Sequence, residues 1–156
     1  MPGKHGPNRL ANYLQVHRAS MTRFADEGLV VEDQCEFTFL PGSILLAGRV
    51  LCLDGIVLEV EKEIAILAGE GMNARVQTAT FRYHAWIRGE HNILRYESPH
   101  EHRPAAHKHV YNTFGDGLEA EVLDLNREDD IPTLGDVLRE LQLWHEENAS
   151  RIARLR

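Results

Sequence analysis

Apolar and polar positions along the chain change period more than once. From Asn8, read as an N-cap, Leu10, Tyr13, Leu14, Met21, Phe24 and Ala25 recur at helical spacing as far as Gly28, a natural C-cap. That spacing predicts an amphipathic helix over 8–28, because residues so spaced line one face of a 3.6-residue turn. Residues 1–7, rich in Gly and Pro, read as a loose end. The period then drops to two: Ile56, Leu58, Val60, Ile64 and Ile66 alternate with Val57, Glu59, Glu61 and Glu63, as in a half-buried strand. Asp54-Gly55 between two apolar runs predicts a hairpin that sets Leu53 opposite Ile56 and Leu51 opposite Leu58.

A strand around 35–40 precedes that hairpin and ends at Pro41-Gly42, and 68–73, with two glycines, reads as a loop. A second hairpin runs from 74 to 87, turns at Gly89-Glu90 and returns over 91–97. Residues 119–125 form a further short strand or edge segment. Thr133-Leu134-Gly135-Asp136 has the spacing of a capping box and opens a last helix over 133–155, carrying Leu134, Val137, Leu138, Leu141, Trp144 and Ile152. The expected class is α+β: an N-terminal helix, an antiparallel meander of four to five strands within 34–125, and a C-terminal helix packed on one sheet face. No linker or internal repeat divides the chain, so residues 1–156 read as a single domain with one sheet face open.

The formal charge of −7 argues at first against nucleic acid, whose binding depends on Lys and Arg. Charge is segregated, however. Between Arg82 and His109, five Lys/Arg face Glu90, Glu97 and Glu101, an excess of two positive charges that leaves the remainder nine negative. The acidic run from Asp116 to Glu147 reads mainly as a solvated helix face, though it also suits a basic partner. No apolar run approaches the roughly 20 residues of a membrane span, and no signal peptide is recognised, so a cytoplasmic chain without membrane contact is expected. Cys35 and Cys52 sit in alternating apolar segments and read as buried, reduced thiols.

Six of the nine histidines also fall between His84 and His109. With a two-residue turn at Gly89-Glu90, Arg82 faces Glu97, His84 faces Arg95, and Trp86 faces Ile93. Directly opposed residues share a sheet face. Phe81, Tyr83, Ala85 and Ile87 against Ser98, Tyr96, Leu94 and Asn92 then form the core face, since a one-residue slip would bury Arg82 and Arg95. Arg82, His84, Arg95 and Glu97 cluster on the open face. A bare cross-strand ion pair between Arg82 and Glu97 would account for two of these. Pro99-His100-Glu101-His102 and His107-Lys108-His109 follow, and the reversal implied by Arg103-Pro104 would return them over that face.

Two chemistries use such a set. For RNA cleavage by internal transfer, one histidine takes the 2′-OH proton, another group protonates the leaving oxygen, and Arg or Lys stabilises charge on phosphorus. His84, His107, His109, Arg82, Arg95 and Lys108 supply those parts. For metal chemistry, His-x-His in an extended segment aims both rings one way, and His100/His102 and His107/His109 each offer this. No Asp or Cys accompanies them at a ligand spacing, so the reading without metal or other cofactor is preferred. A module that only binds nucleic acid or protein, and a structural subunit, remain as alternatives. His5, His17, His91 and His145 read as surface or packing residues; Trp86 either stacks a base or, by preference, lies under a helix.

Phe81-Arg82-Tyr83-His84, then Leu94-Arg95-Tyr96-Glu97 with Pro99-His100, then His107-Lys108-His109-Val110, resemble the TumE family of prokaryotic toxin–antitoxin proteins, with similarity over 10–143. The chain departs from that pattern at Ala106, where a further histidine often stands, and at Glu101, which interrupts a usual His-His pair. The resemblance implies a small cytoplasmic toxin whose partner is a helix-turn-helix antitoxin. RNA as substrate comes from the His/Arg/Lys face, and a homo-oligomer is left open.

Overall fold

The computed structural model describes residues 4–89 and 91–155, so Glu90, half of the expected Gly89-Glu90 turn, lies outside the described residues, as do residues 1–3 of the expected loose end. In chain order the elements are β1 (Asn8–Arg9), α1 (Leu10–Asp26), β2 (Val30–Asp33), β3 (Glu36–Leu40), β4 (Ser43–Cys52), β5 (Ile56–Ala68), β6 (Arg75–Ile87), β7 (His91–Glu97), β8 (His107–Tyr111), β9 (Glu119–Asp124) and α2 (Leu134–Ile152). The class is α+β, as expected. The sheet among the described residues has nine antiparallel strands rather than four or five, ordered β2-β4-β5-β6-β7-β8-β9 with β3 also on β4 and β1 on β6. The surplus over five comes from β1 and β2, too short to show a period, from β8, which the sequence reading left inside a loop, and from β9, the expected short strand or edge segment.

Both helices lie on one face. Leu10, Met21 and Phe24 of α1 and Leu134, Val137, Leu138, Leu141 and Ile152 of α2 pack into one cluster with Ile44, Leu46, Val50, Ile56, Leu58, Val60, Ile64, Tyr83, Ala85 and Ile87. Thr133 and Asp136 form the expected capping box at the start of α2. At the other helix the expected N-cap is off by one residue. Asn8 and Arg9 are extended and pair with Val76 and Arg75, so Arg9 takes the N-cap position and offers no side-chain bond. The expected loose end is also tied down where it is described: His5 Nε2 lies 2.7 Å from the Ile131 carbonyl oxygen, and Gln77 donates to the His5 carbonyl at 2.8 Å.

Register decides what each face carries. Leu53, Asp54 and Gly55 form a tight turn with Asp54 at φ 54° and Gly55 at φ 81°, both left-handed. Three connecting residues, rather than two, set Val50 opposite Leu58 and Leu51 opposite Val57. The reason is burial: this register aligns Ile44, Leu46, Val50 and Cys52 with Ile56, Leu58, Val60 and Ile64, all buried, whereas the expected one would have turned Arg49 inward. Gly48 is required where the chain crosses between β2 and β3, since a Cβ there would stand 2.5 Å from the Gln34 carbonyl oxygen. Both cysteines are free, and burial pushes each thiol to about 12.

The β6–β7 hairpin follows the expected register from Arg82↔Glu97 to Ala85↔Leu94, then shifts by a bulge so that Trp86 faces Asn92 and Ile87 faces His91. Ile93 and Leu94 are both buried, which alternation alone would forbid. Asn92 is thereby moved off the core face and onto the open one. Trp86 is on the open face too, half-buried, with the Arg49 guanidinium 5.3 Å from its ring, so it is not under a helix. No helix among the described residues is long and apolar enough to cross a membrane.

Candidate functional site

Alternation builds the site on the face that the helices leave free. Cross-strand pairing from β5 to β8 places Glu59, His84, Arg95 and His109 in one row, and Glu61, Arg82, Glu97 and His107 in the next. Five of the six residues assigned to catalysis from sequence therefore share a face. Strands about 4.8 Å apart set His84 and His109 roughly 10 Å from each other, with Arg95 between them.

Lys108 does not join them. It pairs with Tyr96 in register, so its side chain is on the helix-covered face, where Nζ reaches Glu140 Oε2 of α2. The period-two rule that aligns His107 with His109 sends the residue between them the other way.

Each imidazole has a partner. His84 Nε2 is 2.8 Å from Asn92 Oδ1; donating there leaves Nδ1 as the free acceptor. Burial, joined by the charges of Arg95 and Arg82, lowers the His84 pKa below the ordinary value, against the opposing pull of Asn92 and Glu59. His109 Nδ1 bonds Glu119 Oε1 on β9, and Arg95 Nη2 lies 3.3 Å from His109 Nε2. His107, only 1 % exposed, donates from Nδ1 to the Ala105 carbonyl at 3.0 Å and turns Nε2 toward Glu97 Oε2 at 3.4 Å. The Tyr111 ring stands 6.5 Å from both His84 and His109 and lines the space between them.

The expected Arg82 to Glu97 ion pair is replaced by two others. Arg82 Nη2 is 3.6 Å from Glu59 Oε1, and Arg95 Nε is 2.7 Å from Glu97 Oε1, close but out of line for a hydrogen bond. Glu97, His107 and His109 each offer a ligand atom, all within 4.8 Å of one another, and His100 Nε2 comes within 3.3 Å of Glu97 Oε2. This set is able to hold a divalent cation. It differs from the four histidines singled out from sequence, because among the described residues the clustered ligand atoms do not include His102, which is exposed with its ring 6.3 Å from that of His100. The Arg95 guanidinium already contributes positive charge against Glu97 and His109, so a metal there must displace it.

Sequence reasoning missed Asn92, Glu119, Glu59 and Tyr111. Two consecutive apolar residues, Ile93-Leu94, were the available sign of the bulge that delivers Asn92. The others needed the strand order. His17 and His145 lie on the helices and pair with Asp33 and Asp54, outside the site. Comparison with protein-family models, curated proteins and solved structures found no match.

Proposed function

We propose that the chain is the toxin of a toxin–antitoxin pair, of TumE type, and that it cuts RNA by internal transfer without a metal. The family part of this reading is supported by the three sequence blocks around His84, Glu97 and His109. The chemistry is supported above all by one observation: Arg95 stands between His84 and His109 in a single cross-strand row.

In this scheme a phosphodiester lies along the row and draws the Arg95 guanidinium from His109 to its non-bridging oxygens. His84, neutral because its pKa is lowered, takes the 2′-OH proton at Nδ1. The 2′-oxygen bonds to phosphorus, the bond to the 5′-oxygen breaks, and His109 gives that oxygen a proton from Nε2. Glu119, bonded at Nδ1, offsets the imidazolium charge before the transfer. The products are a 2′,3′-cyclic phosphate and a 5′-hydroxyl. Arg82, held to Glu59 by an exposed pair worth under about 1 kcal/mol, is free to move to a neighbouring phosphate. A helix-turn-helix antitoxin would act by covering this face.

Full-length protein incubated with RNA in EDTA should yield fragments with cyclic phosphate ends. His84→Ala and His109→Ala should each slow cleavage by about 10²- to 10⁴-fold. Abolition by the chelator would reject the scheme in favour of a hydrolase holding a cation on Glu97, His107 and His109, the second reading that their spacing supports. RNA that is bound but never cut, with affinity indifferent to both alanine changes, would leave a binding module.

A further inference from the structure

The core-facing row of β5 contains one charged residue. Lys62 falls between Val60 and Ile64 in the inward register, and it is only 8 % exposed. Among the described residues no carboxylate pairs with it: Nζ lies 3.3 Å from the Tyr13 hydroxyl and packs 5.5 and 5.6 Å from the Tyr13 and Tyr83 ring centres. Burial disfavours its charge, but the two tyrosines outweigh that and hold its pKa above the ordinary lysine value. Lys62 thus keeps its ammonium inside the core on two phenols alone, with no carboxylate counter-charge among the described residues.

Lys62 lines a cavity of about 200 Å³ between the sheet, α1 and the start of α2. That is several times the roughly 30 Å³ share of one water. The wall includes Lys4, His5 and His17 as well as Lys62, and not one Asp or Glu. Tyr13, Thr78 and Ser20 bring hydroxyls to it, the first two 2.6 Å apart, while Phe81, Val16 and Leu134 supply apolar surface. Two of the wall's basic groups already have acidic partners, Lys4 with Asp136 and His17 with Asp33; Asp136 is bonded by Thr133 as well, and those bonds outweigh burial and keep its carboxyl below its usual range.

We infer that this cavity binds a small oxyanion on an apolar body, a carboxylate or phosphate carried by a single ring, with Lys62 as its counter-charge and the Tyr13 and Thr78 hydroxyls as hydrogen-bond partners. The site is on the opposite face from His84, His107 and His109 and is independent of what they do. Titration calorimetry of the full chain with benzoate and with phenyl phosphate tests it, with phenol as the uncharged control. At least one anion should bind tenfold or more tighter than phenol, and which one does so names the head group. Lys62→Met should weaken that binding at least tenfold while leaving circular dichroism and RNA cleavage unchanged, and Arg95→Ala should leave it within twofold.

Equal binding of phenol, undiminished binding by Lys62→Met, or loss of binding in Arg95→Ala instead would overturn the inference. Should Lys62→Met fail to fold, the Lys62 Nζ resonance of the unaltered protein decides. Saturable movement with the tighter anion supports the site, and an unmoved signal rejects it.

Discussion

Of the three imidazoles in the site rows, His84 alone has no carboxylate bonded to it among the described residues; its partner is the Asn92 amide, and Arg95 and Arg82 lie near enough to act on its charge. Its pKa in the folded chain is therefore below the 6.5 of a free side chain, mainly through burial. Above 6.5 the ring is neutral in folded and unfolded chains alike, and its contribution to stability is complete. As pH falls, the unfolded chain takes the proton first, so stability is lost until the folded pKa is passed. Thermal unfolding followed from about pH 7 to about pH 5 should show the natural chain losing more stability than His84→Gln, which cannot titrate. Parallel curves would mean that the ring titrates as if free. The same shift keeps His84 available as a base on the acid side of neutrality.

A single carboxylate ties α2 to the sheet. Tyr96 donates its hydroxyl to Glu140 Oε1 at 2.6 Å, Lys108 bonds Oε2, and the Lys108 ammonium lies 5.2 Å from the Tyr96 ring centre. Removing the shared acceptor leaves two half-buried donors unmatched, so Glu140→Ala should cost about 1–3 kcal/mol in urea unfolding. Lys108→Ala, which acts on this tether alone, should leave RNA cleavage within about twofold; a hundredfold loss would return Lys108 to the catalytic set. The tether also marks where reading the chain fell short. Alternation in β6 and β7 was legible and placed Arg82, His84, Arg95 and Glu97 together correctly. Applied to His107-Lys108-His109, the same rule, which the metal reading used to align the two imidazoles, separates the lysine from its neighbours; the catalytic reading took the segment as a loop and kept all three together. The bulge at Ile93, whose one sign was the consecutive apolar pair Ile93-Leu94, and the three-residue turn at Asp54 escaped for another reason: each trades local pairing for burial of side chains that only the assembled core brings together.

Taken together, the chain is acidic, and even the two site rows carry more carboxylates, Glu59, Glu61 and Glu97, than guanidiniums, with Arg82 and Arg95 each against a glutamate. RNA affinity should accordingly depend only weakly on salt. Two or three phosphate contacts on a single strand imply a slope of about −1.4 to −2.1 in a plot of log affinity against log salt, and Arg82→Ala should flatten it by about 0.7. Fluorescence polarisation with a short labelled RNA measures both. A slope steeper than about −4 would point to another basic surface.

The alternation in β8 also bears on which changes of chain length the protein tolerates. Loss of one residue within 107–111 would exchange the contents of the two faces, carrying the paired imidazoles beneath α2 and the tethering ammonium out to solvent. Loss of two would restore the phase at the expense of a shorter strand. Within this segment length is thus quantised in pairs, whereas between β7 and β8 the exposed tip at Glu101-His102, closed by the bridge of His100 with Arg103, is where single insertions are absorbed.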